Sequence, residues 1–119
     1  MASLIDCITF DCADPRRLAT FWAAALGYET AEDEGDWIAL RRVQDAAPLL
    51  GFQHVPEPKA VKNRVHLDLK PTGDATMEAE VARLEGLGAR AVRLVRNSPD
   101  SKHTIMQDPE GNEFCVVRP

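Results

Sequence analysis

The chain repeats itself, and this repeat limits its possible folds more than any single motif does. The first half reads as a strand over 4–12, a helix that opens at Asp14-Pro15 and stops at Gly27, and strands over 28–31, 37–42 and 49–55. A stiff Pro56-Glu57-Pro58-Lys59 link follows near the midpoint. The second half runs through the same order: a strand over 65–69, a helix that starts in the 71–74 turn and ends at Gly88, and strands over 89–95, 103–106 and 114–118. Cys7-Ile8-Thr9-Phe10 lies over His66-Leu67-Asp68-Leu69, Leu26-Gly27 over Leu87-Gly88, and Gly51-Phe52-Gln53 over Glu113-Phe114-Cys115. Neither half carries enough apolar surface for a core of its own, so the two are expected to share one. The expectation is a single domain over 1–119, with module one about 1–56 and module two about 63–119.

Local signals support each element. Asp14 suits an N-cap, Pro15 the first helical position and Gly27 a left-handed C-cap. Leu18, Phe21, Trp22, Ala25 and Leu26 recur at helical spacing, as do Met77, Val81, Leu84 and Leu87. The acidic stretch 32–36 reads as a solvated hairpin tip, 43–48 as a loop and 108–112 as a tight turn.

Composition excludes several functions. The net charge is −5, whereas electrostatic nucleic-acid binders usually carry a basic excess. No run of 18 apolar residues is available to span a membrane, and the N-terminus lacks the basic region of a secretory signal. The three cysteines sit in apolar, strand-like runs. That is how a reducing compartment uses cysteine, so a cytoplasmic protein is expected. No serine, histidine and aspartate order with a nucleophile motif occurs, and no phosphate-cradling glycine loop.

Three stretches carry a family resemblance: DCADPRRLATFWAAALGY at 11–28, RVHLDL at 64–69 and DPEGNEFCVV at 108–117. With the doubled βαβββ order, they resemble the vicinal oxygen chelate superfamily of glyoxalases, bleomycin-resistance proteins and extradiol dioxygenases. The wording is most similar to its small glyoxalase-like domains. The resemblance implies an α+β fold with a curved, eight-stranded, open barrel-like sheet around a central cavity. It also implies a divalent metal held by one residue on each of four strands. Matched by motif, those positions are Cys7, Gln53, His66 and Cys115. Two are cysteines, where hard ions take carboxylate or imidazole. The expectation is therefore a cavity that binds a small organic molecule without the usual metal and without another cofactor. Zinc held by two thiolates, an imidazole and an amide is the alternative.

Strand alternation extends the cavity face from those positions. It adds Thr9 and Asp11 from Cys7, Arg64 and Asp68 from His66, Glu113 and Val117 from Cys115, and Gly51 and Val55 from Gln53. Thr9, Asp11, Trp37, Gln53, Arg64, His66 and Cys115 are the candidate ligand-lining residues, with Trp37 as an aromatic cap for a planar ligand. If the protein is instead a lyase, isomerase or dioxygenase-type enzyme, the candidate acid–base set is His66 with Asp68 or Glu113. The implied partners are a small molecule and a second copy of the chain, because open sheet edges invite pairing.

Overall fold

The computed structural model describes residues 1–45 and 47–119. The expected 43–48 loop contains Ala46, which lies outside the described residues. The chain divides into two compact units, Met1–Pro58 and Lys59–Pro119. The fold is α+β, and each unit is a βαβββ module with its own four-stranded mixed sheet. The eight expected strands are thus present as two open four-stranded sheets.

Module one consists of β1 (Cys7–Cys12), α1 (Pro15–Leu26), β2 (Glu29–Asp33), β3 (Trp37–Arg41) and β4 (Leu49–His54). Its sheet order is β1-β4-β3-β2, with β1 parallel to β4 and the other pairs antiparallel. β1 starts at Cys7 and not at residue 4, because its partner begins opposite, at Leu49. Leu4 and Ile5, read as strand from composition, are exposed.

The α1 signals act as expected. The Asp14 carboxylate accepts from the Arg17 N–H at 3.2 Å, and Gly27 closes the helix at φ 69°. Leu18, Phe21, Trp22 and Ala25 are buried. They pack over the sheet face that carries Phe10, Ile38, Leu40, Leu50 and Phe52. The Phe10 ring lies 5.6 Å from Trp22 and 5.4 Å from Phe52 between centroids. The opposite, helix-free face therefore carries Cys7, Thr9 and Asp11 from β1, Gly51 and Gln53 from β4, and Trp37 from β3.

Module two consists of β5 (Asp68–Leu69), α2 (Met77–Leu87), β6 (Arg90–Ser98), β7 (Ser101–Gln107) and β8 (Glu113–Val117), in sheet order β5-β8-β7-β6. β5 is two residues long, not the five of 65–69. Just upstream of it, the Leu67 carbonyl accepts from the Cys115 N–H of β8 at 2.9 Å, and further upstream Asn63 is tied to the first residue of β8. The Asn63 N–H donates to the Glu113 carboxylate at 2.8 Å, and the Asn63 amide donates to the Glu113 carbonyl at 3.1 Å. α2 begins later than expected, because the cap is Thr76, whose hydroxyl accepts from the Ala79 N–H at 3.1 Å. Of its expected apolar stripe, Met77 and Leu84 are buried whereas Leu87 is exposed. The 108–112 turn is built on Asp108, whose carboxylate accepts from the N–H groups of Glu110 and Asn112 and from the Asn112 amide. No helix among the described residues is long and apolar enough to cross a membrane.

Candidate functional site

In module one, β1 and β4 run in parallel with Cys7 opposite Leu49 and Asp11 opposite Gln53. Cys7 and Gln53 thus share a face but stand four residues apart in register, about 13 Å along the strands. The Trp37 indole occupies the space between. Trp37 pairs with Gln53 across β3 and β4, and its ring reaches over Gly51, where Cys7 Sγ also packs. The indole N–H donates to the Glu32 carboxylate at 2.7 Å. The ring is therefore laid down on the sheet and pinned.

The remaining module-one candidates are held locally. Cys7 Sγ and Thr9 Oγ1 lie 3.4 Å apart. The Gln53 amide N–H donates to the carbonyls of Asp36 and His54 at 3.3 and 3.4 Å. Asp11 is exposed near the end of β1.

In module two, the structure gathers a tighter group. His66 Nδ1 lies 3.0 Å from Asp68 Oδ1. Asp68 pairs in register with Cys115 across β5 and β8, and ligand atoms of His66, Asp68 and Cys115 all lie within 4.8 Å of one another. His66 and Asp68 are open to solvent, whereas Cys115 is buried. Burial pushes the Cys115 thiol up, and the charge and hydrogen bond of Asp68 push it the same way.

Glu113, the other candidate acid, is engaged elsewhere. Its carboxylate takes the Asn63 N–H and the Lys59 ammonium, the latter at 3.0 Å. Burial raises its pKa, but these two donors outweigh burial and hold it below the usual carboxylate range. Arg64 lies in an exposed bend before β5, outside the strand on which alternation placed it.

Two participants escaped the sequence reading. Glu32 looked like part of a solvated acidic tip, yet it anchors Trp37. Arg93 shares the helix-free face of module two because of a register shift between Ala91 and Arg93, and strict alternation cannot show such a shift.

The family model described as the glyoxalase-like domain matches residues 7–117. Among curated proteins, none matches the chain significantly. Solved structures do. A glyoxalase/bleomycin resistance protein/dioxygenase family enzyme from Burkholderia phytofirmans PsJN shares 16% identity over 97% of this chain and 98% of its own, with a TM-score of 0.75. A glyoxalase-related enzyme from Fulvimarina pelagi shares 16% identity over 98% of this chain and 88% of its own, with a TM-score of 0.74. A lactoylglutathione lyase from Agrobacterium tumefaciens shares 18% identity over 98% of this chain and 93% of its own, with a TM-score of 0.66. These likenesses carry the fold, and the matched model carries the family: the chain belongs to the glyoxalase-like domain family of the vicinal oxygen chelate superfamily.

Proposed function

We propose that this glyoxalase-like protein binds a small organic molecule against the helix-free faces of its sheets, without the divalent metal of the superfamily. The observation that carries this reading is the placement of Trp37. Its indole packs over Gly51 beside Cys7 while Gln53 sits four residues further along the register. Module one thus offers an aromatic surface where a ligand pair would be needed. A pinned indole beside amide and hydroxyl groups suits a small ligand with a planar part. Residues at the four family positions, two of them thiols, are a poor set for a hard ion, so no reaction step is routed through a metal.

A second reading is favoured by the 3.0 Å contact between His66 and Asp68. A carboxylate that orients one imidazole nitrogen leaves the other to exchange a proton with a bound molecule. In this enzyme reading, a lyase or isomerase would use His66 as the acid–base group and Asp68 as its positioning partner. Glu113 is replaced in that role because Lys59 and Asn63 already hold it. The same His66, Asp68 and Cys115 group is also where zinc would bind if the chain takes it. The reading further includes a cytoplasmic homodimer, supported by three free thiols and by the open edges of both sheets.

The deciding experiment is thermal shift with panels of organic ligands and divalent metals, with and without chelator. A ligand at ~100 times its Kd adds about 2.7 kcal/mol of stability. Stabilisation by organic molecules that persists in chelator is the expected result. Chelator-sensitive turnover of the methylglyoxal–glutathione hemithioacetal would overturn the metal-free reading. So would stoichiometric zinc that is lost on Cys115→Ala.

A further inference from the structure

The helix-free face of module two is charged at both ends and less polar between. One cross-strand row runs Asp68, Cys115, Ile105, Arg93, each pair in direct register. Asp68, with His66 beside it, closes one end. The exposed Arg93 closes the other. Cys115 is buried and Ile105 half-buried between them. Arg90 also reaches this face through β6, but its guanidinium is already bonded to Gln107. Glu113, the carboxylate on β8 next to this row, is neutralised by Lys59. Arg93 itself makes no ion pair among the described residues.

Arg93 thus sits beside an apolar strip with its guanidinium not committed to a carboxylate, on a chain of net charge −5. A guanidinium presents two parallel N–H donors that match a carboxylate, and such pairs are stronger and more directional than neutral hydrogen bonds. The imidazole–carboxylate pair at the far end offers complementary polar contacts. Three interstrand steps separate the ends, about 14 Å between backbones. The long arginine side chain shortens that span to the size of a small molecule.

We propose that this face takes a small organic carboxylic acid, with its carboxylate on Arg93, its apolar body along Ile105 and its other end against His66 and Asp68. This rests on the small-molecule reading above and adds the chemical class of the ligand.

The test compares 3-phenylpropionate with 3-phenylpropionamide, a neutral analogue of the same shape. Binding is read by amide and methyl chemical-shift titration of the wild-type protein and of Arg93→Gln and Arg93→Lys. The expected result is that the acid binds about tenfold more tightly than the amide. Arg93→Gln should abolish that preference, the loss falling mainly on the acid, and Arg93→Lys should keep part of it. Shifts should fall on Ile105 and Cys115. Equal affinities for acid and amide in the wild type, or a preference that survives Arg93→Gln, would overturn the assignment while leaving the small-molecule reading in place. If neither compound binds, and a wider neutral panel also fails, both readings fall.

Discussion

Trp37 lies on the backbone of β4 at the one position that has no side chain to stop it. A Cβ at residue 51 would stand 2.7 Å from Trp37 Cζ3, closer still to Cη2, and 2.9 Å from Cys7 Sγ. Gly51→Ala therefore has to lift the indole off the sheet or push β4 away. The expected cost is that of overpacking, about 1–3 kcal/mol, measured by urea denaturation. The indole should also leave the Glu32 carboxylate, so Trp37 fluorescence should change in the native state. If ligands stack on the pinned ring, Gly51→Ala should weaken them more than Trp37→Phe does, since phenylalanine keeps an aromatic face on an intact floor. An unchanged native fluorescence spectrum would show that the ring does not depend on Gly51.

The His66–Asp68 pair should matter little for stability and much for binding. Both side chains are about half exposed, and exposed pairs contribute roughly 0–1 kcal/mol. Asp68→Asn should leave Tm nearly unchanged while it weakens the ligand or slows turnover. In the enzyme reading, Asp68→Asn should lower kcat with KM nearly constant, because it misplaces the imidazole without removing it. Glu113→Gln is the contrasting variant. It leaves Lys59 without its carboxylate and should lower Tm without altering the pH dependence of any turnover.

The two helices differ in how firmly they are held. α1 buries Leu18, Phe21, Trp22 and Ala25, and Trp22 is fully enclosed beside Phe10 and Phe21. α2 buries only Met77 and Leu84. Trp22→Ala should cost about 3–5 kcal/mol and Leu84→Ala about 2–5 kcal/mol. Because so little else anchors α2, Leu84→Ala should also release its backbone amides to hydrogen exchange ahead of those of α1. Equal protection of the two helices in that variant would count against this difference.

What could be read from the sequence, and what could not, follows the range of the interactions involved. Helix α1 was legible because Asp14, Pro15 and Gly27 act within one turn of themselves. The Asp108 turn was legible for the same reason. The doubled strand and helix order was legible as well, since the repeat shows which elements belong together. Strand ends were not. β1 stops where β4 stops, and β5 pairs in register with β8 at Asp68 and Leu69, with one further backbone bond from the Cys115 N–H to the Leu67 carbonyl. The candidate site divides along the same line. The His66 and Asp68 pairing needs only two residues that stand two apart in one extended stretch of chain. The offset between Cys7 and Gln53 depends on the register between two strands, which no local signal fixes. Arg93 was hidden by a register shift that places Arg90 and Arg93, three residues apart, on one face.

The bidentate pair of Arg16 and Asp33 makes a pH-dependent tie between the start of α1 and the end of β2. Its two contacts are 2.7 and 2.9 Å. The Arg16 hydrogen bonds hold the Asp33 carboxyl below its usual range, and the Gly35 N–H adds to this. A folded value below the unfolded one means the ionised form is favoured by folding. Its contribution is present above the unfolded pKa, near 3.9, and is lost as pH falls through the lower folded value. Asp33→Asn should therefore melt below the wild type at pH 7, and the gap should close as pH drops below about 4. Both side chains are exposed, so added salt should narrow the gap at pH 7 as well. Arg16→Gln should reproduce both trends, and the double variant should melt no lower than either single one. A gap that stays constant from neutral pH to about pH 3 would show that Asp33 stabilises the strand end by its turn geometry and not by its charge.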